Sequence, residues 1–174
     1  MFEFETTHRS SPTLFPGVYA AIVKDHGAEG ELKVSVPAVF EADDPAAFVI
    51  ARPCFPYGHF FVPEIGEFVW VAFEGGDPRA PVWLGVFYPR GARPAEADTG
   101  SDPPRKRVIK TRSGHVVVFD DTSGSEAITL TDKTGNAIEL RHDGVLIKCT
   151  QDLTIDASGQ TVTITANEVN VTKG

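Results

Sequence analysis

The fold is decided by the stretch Ala127-Ile-Thr-Leu-Thr-Asp-Lys-Thr-Gly-Asn-Ala-Ile-Glu-Leu140, in which two short β-branched runs flank a turn. The same alternation of run and turn extends from Ser113 to Gly174, with a spacing of about eight to ten residues that is typical of β-solenoid arrays. Turn residues separate the runs, because Gly tolerates positive φ and Asp, Asn and Ser bond to their own backbone. The runs are His115–Phe119, Ala127–Thr131, Asn136–Leu140, Gly144–Lys148, Asp152–Asp156, Thr161–Thr165 and Glu168–Val171.

Most runs carry two apolar residues at a spacing of two, which places one buried and one solvated face on each strand. A pair of aliphatic side chains per strand is too little for a stable isolated meander. Other copies of the segment are therefore the expected cover, with three narrow faces closed on a common axis so that no sheet edge stays open. A β-sandwich is the alternative, but Phe119 is the one aromatic residue after Tyr88. The predicted trimer-core residues are Ile128, Leu130, Ile138, Leu140, Leu153, Ile155, Val162, Ile164, Val169 and Val171.

Composition describes an ordinary soluble folded protein of one domain or two small ones. The chain has 174 residues, 41% hydrophobic residues and a net charge of −8, which argues against nucleic acid or anionic lipid as a partner. No apolar run reaches membrane-spanning length, and the N-terminus has no secretory apolar segment. The two cysteines, Cys54 and Cys149, are therefore expected to be reduced, in a protein made in the cytoplasm.

The first half of the chain predicts a small closed barrel. Residues 1–16 form a polar arm, and residues 17–88 contain five strand-like segments without a clear helix. Two of them, Glu67–Phe73 and Pro81–Tyr88, are joined by the hairpin loop 74–80. A proline-rich stretch follows, so residues 89–112 are predicted to be a linker and residues 113–174 the β-ladder.

Two motifs carry a resemblance to a known family. Phe61-Val-Pro-Glu-Ile-Gly-Glu67 and Gly76-Asp-Pro-Arg-Ala-Pro81, with Gly85 in the following strand, resemble the OB-fold domain of baseplate assembly protein V and related contractile-tail spikes. The segment Thr111-Arg-Ser-Gly-His115 with Phe119-Asp-Asp121 resembles the junction where those spikes, and the valine–glycine-repeat spike of type VI secretion, begin their β-helix. The resemblance implies an all-β chain, with an OB-fold barrel followed by an intertwined triple-stranded β-helix, or β-prism, formed by a homotrimer.

The resemblance further implies a structural central spike of a phage baseplate or an extracellular phage-tail-like particle. Such a spike docks on a hub protein at its OB-fold end and pierces the target cell envelope on contraction. Blunt C-terminal ends in this family receive a conical tip protein of the proline-alanine-alanine-arginine repeat type. Here the tip-binding residues would be Asn170, Val171, Thr172, Lys173 and Gly174. An iron apex is not expected, because no histidine follows His142, and the short linker leaves no room for an inserted lysozyme domain.

Other chemistry finds no support in the sequence. The five histidines are scattered, and no catalytic, nucleotide or metal-binding motif appears, so no cofactor, metal or enzymatic activity is expected. Asp132 is better explained as a turn cap than as a cation ligand. An OB-fold module that binds an oligonucleotide or glycan, on a trimeric stalk, is the alternative function. Trp70 and Trp83 would be its stacking residues, but their alternation with aliphatic residues favours core or subunit packing. A cell-wall hydrolase is the third hypothesis.

Overall fold

The computed structural model describes residues 13–97, 100 and 104–172, and they form two compact units that divide between Arg93 and Pro94. Among these residues the regular elements are strands and short 3-10 turns, which confirms the all-β class. The turns span Ala28–Gly30, Pro45–Ala47, Glu74–Gly76 and Ala95–Ala97. In the described part of the chain, no helix has the length and apolarity to cross a membrane.

The first unit is a closed five-stranded barrel. Its strands are β1 Val18–His26, β2 Leu32–Ser35, β3 Val49–Pro53, β4 Phe68–Phe73 and β5 Pro81–Val86. Their order is β1-β2-β3-β5-β4, and β4 pairs back onto β1. Neighbouring strands are antiparallel except β3 and β5, which run parallel. All five predicted strand segments are present, because each alternates inward apolar residues with outward ones.

The barrel encloses its own hydrophobic core. Its buried apolar residues are Ala21, Val23, Leu32, Val34, Val36, Ala51, Val69, Val71, Phe73 and Trp83. The Trp83 indole Nε1 donates to the Gly30 carbonyl at 3.0 Å, so its polar group is satisfied inside the core. Gly30 has φ +85°, and a Cβ there would approach the Phe60 and Phe55 rings to 3.1–3.2 Å, so glycine fits this turn best.

The end of the predicted N-terminal arm packs on the barrel. The backbone N–H of Phe15 donates to Gly76 at 2.9 Å, and the Phe15 ring lies 6.1 Å from the ring of Phe73. Residues 1–12 of the arm lie outside the described residues.

The second unit is an open antiparallel sheet of five strands in sequence order. Lys106–Lys110, which the sequence placed in the linker, forms its first strand. Val108 and Ile109 give this short segment enough apolar character to pair with the next strand, Val116–Asp120. The last three predicted runs form no strand in the described chain. The strands are β6 Lys106–Lys110, β7 Val116–Asp120, β8 Ala127–Thr131, β9 Ala137–Arg141 and β10 Gly144–Lys148.

Candidate functional site

One face of the second sheet carries two continuous rows of apolar side chains. Cross-strand pairing aligns the same alternate positions on all five strands, and these positions share a face. The first row is Ile109, Val117, Leu130, Ile138 and Ile147. The second row is Phe119, Ile128, Leu140 and Val145, with Arg107 at its end beside Phe119.

No segment among the described residues covers this two-row face. Eight of its nine apolar side chains remain between 37% exposed, at Ile128, and 68% exposed, at Val145. Ala137 is the one buried apolar residue of the second unit among those described, whereas the barrel has ten. A contiguous apolar surface of this kind marks an interaction site. The sheet therefore lacks a core of its own.

The sequence predicted four members of this face, Ile128, Leu130, Ile138 and Leu140, and the structure brings them together. The sequence analysis missed the five other members of the face. In Val116-Val-Val118 and Val145-Leu-Ile147 three apolar residues follow one another, so a period of two does not say which of them share a face. Pairing with the clearly alternating strands β8 and β9 resolves the choice. The added members are Ile109, Val117, Phe119, Val145 and Ile147.

The remaining predicted core residues follow β10 and lie on no strand. Their exposed fractions range from 53% for Val162 to 92% for Val171. The described chain contains no backbone partner for this segment, so it forms no sheet hydrogen bonds there. Of the predicted tip-binding residues, Asn170, Val171 and Thr172 are exposed, and Lys173 and Gly174 lie outside the described residues. The other members of this set are Leu153, Ile155, Ile164 and Val169.

The turn between β8 and β9 is closed by its own side chains. The Asp132 carboxylate accepts hydrogen bonds from the backbone and hydroxyl of Thr134 and from the backbone and amide of Asn136, at 2.7–3.0 Å. These donors, the Thr134 hydroxyl first, hold the pKa of Asp132 well below its usual range. Asp132 is thus a turn cap, as predicted. The turn Asp156–Gly159 repeats the pattern, with Ser158 donating to Asp156.

A side-chain contact fixes the point where the chain leaves the sheet. The Asn136 Oδ1 accepts from the Thr150 backbone N–H at 2.7 Å and from its hydroxyl at 3.0 Å. Residue 150 lies two positions after the end of β10, so this contact holds the start of the unpaired C-terminal segment against the β8–β9 turn.

Ion pairs cluster around β6. Lys106 lies 3.5 Å from Asp120, Arg107 pairs with Asp121, and Lys110 lies 2.7 Å from Glu96. The last contact attaches the turn at residues 95–97 to the strand. The Arg107–Asp121 pair is largely exposed and the other two are partly exposed, so each adds little to stability.

The two tryptophans have different roles. Trp83 is 2% exposed and belongs to the barrel core, so it is not available for ligand stacking. Trp70 lies on the outer surface, where it stacks on Phe87 with ring centroids 4.5 Å apart. Within the described residues no three His, Cys, Asp or Glu side chains are grouped as metal ligands, and Cys54 and Cys149 are exposed free thiols.

Comparison with protein families matches both units. Residues 15–88 match a family described as the type VI secretion system/phage-baseplate injector OB domain. Residues 106–174 match a family described as the phage baseplate V C-terminal trimerisation domain. No curated protein sequence gives a significant match. The barrel order β1-β2-β3-β5-β4 agrees with the first description, and the uncovered two-row face agrees with the second. The chain therefore belongs to the phage baseplate V family of spike proteins, in which an injector OB domain is followed by a trimerisation domain.

Proposed function

We propose that this chain forms the homotrimeric central spike of a contractile injection machine. As a member of the family it is a structural component of a tail particle. The observation that supports the proposal most directly is the uncovered two-row face. A trimerisation domain with one buried apolar residue among those described needs its other copies to form a core.

In the proposed trimer, the five-stranded sheet of each chain supplies one side of a three-sided prism. The two-row faces turn inward and close on the threefold axis. Residues 149–172 then continue as rungs that pair with the partner chains, so that the segment without strand partners in one chain acquires them in three. The exposed edge strand β10 supports this arrangement, since its free backbone groups are available to an added strand.

The proposed mechanism is mechanical. Contraction drives the spike into the cell envelope, and the stiffness of the prism comes from interchain hydrogen bonds around a dry aliphatic axis. The five strands and the three runs that follow them make eight rungs, which at sheet spacing give a length of roughly 35–40 Å. We propose that this short prism carries a separate conical tip protein on Asn170–Gly174 and that the barrel end, residues 17–88, docks on a hub.

The decisive experiment measures the mass of the full chain and of Ile155→Asp in solution by light scattering. Ile155 is 70% exposed in one chain and lies on the axis in the proposal, so the substitution would bury three unpaired carboxylates and abolish the trimer. Thr154→Asp is the matched control, since the neighbouring side chain points away from the axis and should leave the trimer intact. A trimeric Ile155→Asp protein as stable as the parent would contradict the assignment of Ile155 to the axis. A monomeric parent would contradict the spike.

A further inference from the structure

The outer surface of the barrel differs sharply between its strands. On β1, β2 and β3 the outward positions include Lys24, Lys33 and Arg52. On β4 and β5 the outward positions, which alternate with the buried core residues, carry no charge. They are Phe68, Trp70, Ala72, Val82 and Leu84. A protein surface without charge over two adjacent strands has the composition of an interface core.

Aromatic rings dominate this surface. The Phe87 ring stacks on Trp70 at 4.5 Å and lies 5.6 Å from Phe68, and Ala20 pairs with Trp70 across the β1–β4 ladder. Trp70 nevertheless stays 40% exposed and Leu84 43% exposed. We name Ala20, Phe68, Trp70, Leu84 and Phe87 the Trp70 face. Large aromatic side chains that remain half-exposed in such a cluster are typical anchors of a protein–protein contact.

The stretch that joins the barrel to the trimerisation domain indicates which molecule covers the Trp70 face. The chain leaves the barrel at Phe87, within the Trp70 face, and residues 87–93 join β5 to the second unit, which begins at Pro94. A fully extended stretch of this length spans at most about 25 Å. In the proposed trimer this short connection limits how far the three barrels, each with a radius of gyration of about 11 Å, can separate from one another. At the resulting local concentration, even a contact of low affinity between two barrels forms in most trimers.

We propose that the Trp70 faces of the three chains pack against one another around the threefold axis, so that the barrels form a closed ring rather than three independent domains. The proposal rests on the trimer formed by the C-terminal domain and adds a second interface to it. The partner is a second copy of this chain, and the contact is apolar. Its energy comes from removing Trp70 and Leu84 from water.

The test uses thiol cross-linking in the full chain. Leu84→Cys is placed in a protein with Cys54→Ser and Cys149→Ser, so that it carries the sole thiol, and is treated with a short bismaleimide. Ile50→Cys is the matched control, because Ile50 is 46% exposed on β3, away from the Trp70 face. A single bridge joins two of three chains, so about two thirds of the Leu84→Cys chains should migrate as dimers, and the control should stay monomeric on the denaturing gel. Equal cross-linking of the two variants would overturn the proposal.

Fluorescence quenching provides an independent readout. Trp83 is buried, so acrylamide reports mainly on Trp70. We expect quenching in the trimer to be several-fold weaker than in the monomeric Ile155→Asp protein. Equal quenching in trimer and monomer would overturn the barrel contact and would leave the Trp70 face to a separate baseplate protein. Light scattering separates failure of the barrel contact from failure of the proposed trimer axis. A trimer with an exposed Trp70 face leaves the spike assignment intact. An Ile155→Asp protein that stays trimeric contradicts the position of Ile155 on the axis.

Discussion

The substitution Ile138→Asp tests the two-row face at its centre. Ile138 lies on β9 between Leu130 and Ile147 and is 44% exposed in one chain. Ile50→Asp on the barrel is a matched control, since the same residue type is 46% exposed on a strand that the proposal leaves outside the trimer core. The two variants add the same charge at the same exposure, so any difference between them reports on the environment in the trimer.

The expected loss of trimer stability follows from the exposed fraction of the Ile138 side chain in one chain. Full burial of an isoleucine side chain is worth about 1.5–3 kcal/mol, so its exposed fraction accounts for about 1 kcal/mol per copy and about 3 kcal/mol per trimer. A carboxyl group at the axis must be protonated or desolvated, and protonation at pH 7 costs about 4 kcal/mol per copy. Three copies bring the total to about 15 kcal/mol, which matches or exceeds the stability of an ordinary domain. We expect Ile138→Asp to be monomeric at pH 7.

The destabilisation of the trimer by Ile138→Asp should depend on pH. Burial raises the pKa of the introduced carboxyl in the trimer above its value in the monomer. The trimer is therefore destabilised increasingly as pH rises above about 4, and the ionisation cost disappears below it. Light scattering at pH 7 and pH 4 should show monomers at the first pH and recovery of trimers at the second. Ile138→Asn, which cannot titrate, should give the same mass at both.

The reasoning is refuted by an Ile138→Asp protein that stays trimeric at pH 7 with the stability of the parent. It is refuted equally if Ile50→Asp dissociates to the same extent, because the cost would then follow from added charge and not from burial on the axis.

Three further predictions concern the barrel and the turns. Trp83→Phe should lower the free energy of barrel unfolding by about 2–3 kcal/mol without changing the trimer mass, as measured by denaturant titration and light scattering. Asn136→Ala should speed hydrogen exchange of the Thr150 amide at least several-fold, because the acceptor at 2.7 Å is lost; unchanged exchange would contradict the role of this contact. The pKa of Asp77, lowered to about 2 mainly by the side-chain hydrogen bond from Arg79, should move back toward 3.8 in Arg79→Ala, as followed by NMR titration of the carboxyl carbon.

The barrel could be predicted from the sequence because apolar residues alternate with other residues along its strands and so identify the inward face. Leu32 and Val34, like Val69 and Val71, alternate with outward residues, and turns rich in Gly, Asp and Pro separate the runs. The sequence favoured a packing role for Trp83, because it alternates with aliphatic residues, but it did not separate the barrel core from a subunit contact. Its partner, the Gly30 carbonyl, is more than fifty residues away in sequence, and this long-range contact assigns it to the core.

The residues of the two-row face were predictable only where apolar and polar residues alternate strictly along a strand. Ile128 and Leu130 are flanked by Thr and Ala, so their shared face is evident from the sequence. Ile109 was missed because β6 is short and charged at both ends, and its position depends on pairing with Val117. The three runs predicted after β10 form no strand in the described chain, since the partners expected for them are other copies, which a single chain does not contain.

The unequal distribution of buried residues has a consequence for how the protein is made. The barrel, with its own enclosed core, can fold as soon as it leaves the ribosome, in a first-order process that does not depend on concentration. The C-terminal sheet must wait for two other chains, so its folding is of higher kinetic order and slows as the protein is diluted. Each newly made chain therefore carries a folded barrel and a C-terminal segment whose apolar residues stay exposed until two other chains bind, and synthesis of several chains on one messenger RNA would shorten that interval.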